Sequence, residues 1–392
     1  MSESAADRAF RDGSYGDAAE KLRAGLKDHG DDGRDSLLYR LDIALALHSA
    51  GRYDEAIPLF LAADKEAEIK DYTSLAAEAA TLLTSENLKH YSAEEFETVL
   101  ISTYLAMDFA LIGKREDALV EARRVNAKLR RLATEGKRGY QQNAFARYLS
   151  GALYESDGEW DSAWLDYLEA SRLQPDAFRE GRLGKDLWRV AVLSGRTDEA
   201  ARIAREQGLT PVELDGARGA MPRSGKGEII ILYENGISPR KRPHPSWSSI
   251  PIFVPRHNPV VSTHIGIETA GGPGISLTTV PLYDIEAVAI QNLEEKYGAI
   301  IAKKVAGVVA KEVVADQIGE RNPWLGFFAK VFFYASDQVD DRSWQLLPRD
   351  LQVARAVVSP GLHTVRCEAT GASRTVAVAP GKKAFVAFRY MP

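Results

Sequence analysis

The chain has 392 residues, 45% of them hydrophobic and 27% charged, with a formal net charge of −5. That length supports two or more domains with sizeable cores, and the acidic balance gives no general argument for nucleic acid as a partner. A lone cysteine, Cys367, excludes an intramolecular disulfide framework and a cysteine zinc site, and no run approaches the roughly 18 apolar residues of a membrane span.

Helix–turn–helix punctuation begins at the N-terminus. Gly13, Tyr15 and Ala18 form a G-x-Y-x-x-A match, and Gly51, Tyr53, Ala56, Phe60 and Ala63 form a fuller one. The glycine opens the turn between two antiparallel helices, and the small residues let those helices approach. An insertion follows between Asp64 and Tyr104. It predicts a loop around Ser85 to His90, then a helix capped by Ser92 with Glu95 three residues on. The run FETVLISTYLAMDFALIG is apolar on nearly every face and predicts a buried helix. Gly113 with Ala118 is a degraded third match.

Arg147 to Pro175, RYLSGALYESDGEWDSAWLDYLEASRLQP, carries the strongest signal. Gly151, Tyr154, Gly158, Trp160, Ala163, Tyr167, Ala170 and Pro175 stand at the spacing of a tetratricopeptide (TPR) repeat. Small Gly151, Ala163 and Ala170 meet large Tyr154 and Tyr167, and the proline is expected to end the second helix. Gly195 with Ala200 is a fifth match. The turn glycines lie 38, 62, 45 and 37 residues apart, whereas a regular array keeps about 34. Residues 1–209 therefore read as an irregular, all-α TPR-like solenoid. Stacked helical pairs bury their own core and offer a concave surface to another protein. Tyr104, Asp108, Asn143 and Arg147 are expected on or near that surface.

Residues 210–227 are rich in Gly, Pro and small side chains without periodicity, which predicts a linker. Residues 228–392 read as an α+β domain. GEIIILYENG and SIPIFVP predict strands, separated by the basic run Arg240, Lys241, Arg242, Pro243, His244. Two more strands flank the Gly271-Gly272-Pro273-Gly274 loop, and a helical insertion covers about 284–320. The turns Pro360-Gly361 and Pro380-Gly381 then separate LQVARAVV, HTVRCEA, RTVAVA and KAFVAFRY, which predicts a small antiparallel β-sandwich. From Glu228 onward 18 Lys and Arg face 15 Asp and Glu, so the acidic excess belongs to the solenoid. The basic run reads as a solvated loop, with an anionic surface such as lipid headgroups or a polyanionic wall polymer as the functional alternative.

No constellation with the spacing of an active site stands out. His244, His257 and His264 are 13 and 7 residues apart, match no tight ligand motif, and read as loop histidines. The GGPG segment lacks the P-loop lysine and reads as a turn. Cys367 alternates with Val365 and reads as a half-buried strand residue, while Glu234 and Asn235 read as turn chemistry. Neither catalytic residues, nor a metal, nor a cofactor is expected.

The stretch TLLTSENLKHYSAEEFETVLISTYLAMDFALIGKREDALVEARRVNAKL resembles a bacterial family of TPR-containing cell-envelope proteins, many regarded as lipoproteins. YLSGALYESDGEWDSAWLDYLEA, GEIIILYENGISP and RSWQLLPRDLQVARAVVSPGLHTV fit the same pattern, so the resemblance runs from about Tyr53 to Arg389. It implies a periplasmic protein anchored at the outer membrane by lipid, with the cytoplasm as the alternative. MSESAADRAF holds no apolar h-region, so the implied lipidated cysteine would precede this numbering. The resemblance also implies envelope partners, among them small outer-membrane lipoproteins or regulators of cell-wall synthesis. The expectation is a non-enzymatic scaffold that binds proteins through the concave face and the C-terminal domain. The alternatives are a structural subunit of a large envelope assembly and, further off, a cell-wall hydrolase.

Overall fold

Five turn glycines set the register of the helical region. Gly13, Gly51, Gly113, Gly158 and Gly195 all have φ between 76° and 82°, a left-handed conformation that only glycine adopts without cost. They join α1 (Ala5–Arg11) to α2 (Tyr15–His29), α3 (Ser36–Ser49) to α4 (Tyr53–Ala77), and α5 (Glu95–Leu111) to α6 (Arg115–Arg131). The same turn joins α7 (Ala144–Asp157) to α8 (Trp160–Leu173), and, after the short α9 (Pro175–Phe178), α10 (Gly184–Leu193) to α11 (Thr197–Glu206). This is a computed structural model, and it describes residues 4–30, 33–77, 90–136, 141–179, 182–245, 250–269, 273–298, 300 and 339–392.

The strongest repeat packs as its spacing requires. Ala163 and Ala170 are fully buried. A Cβ built on Gly151 would stand 2.9 Å from the Tyr167 ring, so only glycine lets α7 lie this close to α8. Pro175 does not end α8, which stops at Leu173; it occupies the first turn of α9, where its missing N–H costs nothing. The cap predicted at Ser92 falls on Glu94 instead. Its carboxylate and that of Glu97 close a reciprocal capping box at the start of α5. Of the loop expected at Ser85–His90, residues 85–89 lie outside the described residues.

The stretch 210–227 is not wholly irregular. Thr210 and Glu213 form a capping box, and α12 (Pro211–Gly219) packs against α10. Among the described residues ten strands follow: β1 (Gly227–Asn235), β2 (Arg240–Pro243), β3 (Pro251–Val254), β4 (His264–Thr269), β5 (Ile275–Thr278), β6 (Val280–Asp284), β7 (Asp350–Val358), β8 (Gly361–Cys367), β9 (Ser373–Val378) and β10 (Lys383–Arg389). The basic run read as a loop is β2, paired with β3. Helix α13 covers 285–298, and the rest of the expected insertion, 301–320, lies outside the described residues.

The larger strands form two four-stranded sheets, β10-β1-β7-β6 and β5-β4-β8-β9. The second is antiparallel throughout. The first is mixed, because β1 pairs in parallel with β10 and antiparallel with β7. This departs from the wholly antiparallel sandwich expected, since the chain returns to β1 only at its C-terminus.

Alternation along β1 shows what the first sheet separates. Ile230 and Leu232 join the core of the solenoid helices, whereas Ile229, Ile231 and Tyr233 join a second core with Ile265, Val365 and Cys367. With period-2 side chains, the sheet is a middle layer: helices cover one face and the second sheet covers the other.

Candidate functional site

The solenoid-facing side of β1 ends in a glutamate at each extremity, Glu228 and Glu234, and each enters a buried ionic cluster. Around Glu234 the partners come from three elements. His48 on α3 stands between two carboxylates: its Nδ1 is bonded to Asp108 Oδ1 of α5, and its Nε2 lies 2.9 Å from Glu234 Oε1. Tyr104 Oη donates to Glu234 Oε2 at 2.8 Å, and Arg389 Nη1 of β10 lies 3.8 Å from the same oxygen. The side chains of His48, Asp108 and Glu234 are at most 1% exposed.

Electrostatics follow from that geometry. Burial opposes the charge on His48, but the two carboxylates outweigh it and hold its pKa at about 10. Burial raises Asp108 to about 6 despite its histidine partner, and its Oδ2 has no hydrogen-bond partner among the described residues. Burial likewise resists the charge on Glu234, yet His48, Arg389 and Tyr104 hold it below the ordinary carboxylate value. At neutral pH the cluster carries two cations and two anions, a balance without which burial would be prohibitive.

Around Glu228 the cations are two arginines and a lysine, and burial lowers the lysine, Lys383, below its ordinary value. Arg355 of β7 donates from Nε to Glu228 Oε1 at 2.6 Å and from Nη2 to Glu155 Oε2 of α7 at 2.8 Å. Arg189 on α10 reaches Glu155 at 2.7 Å and Asp186 at 3.0 Å. Lys383 of β10 bonds Glu228 and lies 3.3 Å from Glu155. Tyr167 Oη bridges Glu155 and Arg355, and Tyr148 Oη donates to Asp186 at 2.7 Å. Burial resists ionisation of Glu228, but Arg355, Arg189 and Lys383 hold it at about 2. Burial likewise opposes the charge on Glu155, and Arg189, Arg355 and Lys383 hold it well below the usual range. Three cations face three anions here.

Of the four expected surface residues, two lie inside these clusters and two make other contacts between helices. Tyr104 and Asp108 are fully buried members of the histidine cluster. Asn143 is fully buried and caps α7, accepting from Ala146 N at 2.8 Å. Arg147 binds Asp166 at 2.9 Å and Asn126 at 2.8 Å between α6, α7 and α8. Glu234 and Asn235 are not turn residues. Both lie in β1, and Gly236, at φ 65°, makes the turn. Asn235 donates to Asp350 at 3.0 Å and to the Val260 carbonyl at 2.8 Å. Cys367 is fully buried between the sheets.

The chain reading missed His48, Glu155, Arg189 and Arg355. The signal was present: a lone histidine in LDIALALHSAG and a lone arginine in LQVARAVV each interrupt a segment that periodicity buries. Chemically the clusters hold layers together. Among the described residues no group of three or more His, Cys, Asp and Glu is arranged to hold a metal ion. No described helix is long and apolar enough to cross a membrane.

No protein-family model and no curated protein matches the chain. Solved structures similar to it include a crystal structure of MamA, at 16% identity and TM-score 0.35, covering 55% of this chain and 97% of that one. A Podosopora anserina kinesin light chain with nearly identical TPR-like repeats is 16% identical with TM-score 0.34, covering 56% and 94%. A Rap protein complexed with Competence and Sporulation Factor is 12% identical with TM-score 0.31, covering 54% and 53%.

Proposed function

We propose that the chain is a non-enzymatic scaffold of the bacterial cell envelope, which holds protein partners on the outer side of a solenoid whose inner side carries its own sheet. The observation behind this is the placement of β1. Helices α3, α5, α7 and α10 give their inward side chains to Glu228, Glu234 and their neighbours, so a partner meets the second helices instead. There Leu61, Val120 and Leu165 are 40%, 49% and 62% exposed. Acid–base work needs titratable groups converging in an open pocket, whereas the histidine and carboxylates that converge here are buried and the cations Arg355 and Lys383 reach cavity walls. The envelope setting, the lipid anchor and the lipoprotein or wall-synthesis partners rest on the family resemblance.

The test is photo-crosslinking in native cells from Val120 and Leu165, each replaced in turn by a photoreactive residue, together with cell fractionation. Crosslinks to envelope proteins and recovery with the outer membrane are expected. A protein found wholly in the cytosol would overturn the envelope setting. Absence of any crosslink from either position would overturn the outer-face scaffold.

A further inference from the structure

The middle sheet lacks a strand along part of its length. β7 pairs with β1 over all nine residues, from Asp350 opposite Asn235 to Val358 opposite Gly227. On its other side β6 covers it only from Asp350 to Val353. Glu228 N donates to the Lys382 carbonyl at 3.0 Å and Tyr390 N to the Glu234 carbonyl at 2.9 Å, so alternate residues of β1 turn their backbone groups toward β10. Two of these, Glu228 and Ile230, stand opposite Val357 and Arg355. Those β7 residues are therefore the non-hydrogen-bonded partners in that ladder, and their N–H and C=O groups point to the side that β6 leaves open. Among the described residues nothing bonds to them.

At Ala354 and Arg355 this open edge adjoins a cavity of about 650 Å³. Arg182, Leu183 and Lys185 at the start of α10 wall it on the solenoid side, and Ser276 and Thr278 of β5 wall it on the second-sheet side. The space is thus the height of the middle layer. The five residues Ala354–Val358 offer an edge of about 16 Å at strand rise. All charged lining side chains among the described residues are basic: Arg182, Lys185 and Arg355. Arg355 is committed to Glu228 and Glu155. Arg182 and Lys185 have no carboxylate partner among the described residues.

We propose that this gap binds an extended acidic segment of a partner protein, which adds beside β7 in line with β6 and sets carboxylates against Arg182 and Lys185. Exposed edges recruit strands because they carry donors and acceptors together. A small anion would satisfy the N–H groups and leave the carbonyls unpaired; a polypeptide satisfies both. The inference rests on the scaffold reading and assigns one docking place within it.

The probe is a fluorescein-labelled peptide, Thr-Glu-Val-Glu-Val-Glu-Thr, titrated into the full chain. It is compared with a fully N-methylated version and with one carrying Lys for each Glu. The acidic peptide is expected to bind, and both relatives to bind at least about tenfold more weakly. Hydrogen exchange should slow across 350–358 in the complex. The double variant Arg182→Ala/Lys185→Ala should weaken the acidic peptide about tenfold without moving the thermal midpoint. Val357→Pro removes an outward N–H that makes no bond to β1 and should abolish binding. Equal binding of the N-methylated peptide, no binding at millimolar concentration, or protection on another strand would overturn the proposal. So would protection of 350–358 that disappears on dilution of the chain alone, because a second copy would then fill the gap. Crosslinks from the second helices would still stand in each case, so the scaffold reading falls or survives by its own test.

Discussion

At one end of β1 a histidine and a tyrosine hold Glu234; at the other an arginine and a lysine hold Glu228. Both ends bury balanced charge between the helices and the sheet. They differ in what can remove it. Proton loss discharges His48 and proton uptake discharges Asp108 within an accessible pH range, with pKa values of about 10 and about 6. Arg189 and Arg355 are held above their already high ordinary values, because the surrounding carboxylates outweigh burial. One end of the joint is thus responsive to pH, whereas at the other the two arginines keep their charge and only Lys383 is lowered, by burial.

The largest effect is expected from breaking the arginine end. Arg355→Met leaves Glu155 and Glu228 short of a buried cation and should cost about 3–5 kcal/mol, read as a lower urea midpoint. Adding Glu228→Gln should recover part of that loss, because it removes one of the stranded charges. If the double variant is no more stable than the single one, Arg355 is not coupled to Glu228.

His48→Gln tests the responsive end and should cost about 3 kcal/mol at pH 7, for the same reason. The pH dependence has a definite sign. His48 is held protonated in the folded state, so its contribution is complete below its unfolded value of about 6.5 and is lost as pH rises through about 10. Asp108 is raised, so its ionisation penalises the fold as pH rises through about 6. Thermal midpoints measured from pH 7 to 10.5 should therefore converge for wild type and His48→Gln. The gap between wild type and Arg355→Met should stay open over the same range. Parallel curves for the histidine pair would show that His48 is neutral in the fold.

A third variant lies off the joint altogether. Ala163→Leu crowds the contact of α7 and α8 and should cost roughly 1–3 kcal/mol, with no pH dependence of its own. An unchanged melting temperature would mean that Ala163 is not at a tight helix crossing.

Much of the helical region was legible because its constraints are local. Gly13, Gly51, Gly113, Gly158 and Gly195 each announce a turn a few residues from the helices they join, and all five have positive φ. Gly151 against Tyr167 was likewise readable from spacing within one repeat. The joint was not legible, because its partners are remote: His48 and Glu234 are 186 residues apart, and Glu155 and Arg355 are 200. Spacing along a chain carries no signal for such a meeting. What the chain does display is each charged residue alone inside an apolar run, and a buried charge requires a partner. The same logic placed Tyr104 and Asp108 in a buried helix while assigning them to an open surface, and the burial was the sounder half of that reading.

The parallel pairing of β1 with β10 has a consequence for how the protein is made. β1 ends at Asn235 and β10 begins at Lys383, so at 5–20 residues per second roughly seven to thirty seconds of synthesis separate them. During that interval the nascent solenoid has Asp108, Glu155 and Arg189 in place, but the last strand, with Lys383 and Arg389, has not left the ribosome. The helices emerge first and are completed last. A transcript cut short after Val378 would lose β10, leaving one flank of β1 bare and removing a cation from both clusters. Quality control by cellular proteases should therefore be far more sensitive to loss of this one strand than its seven residues suggest.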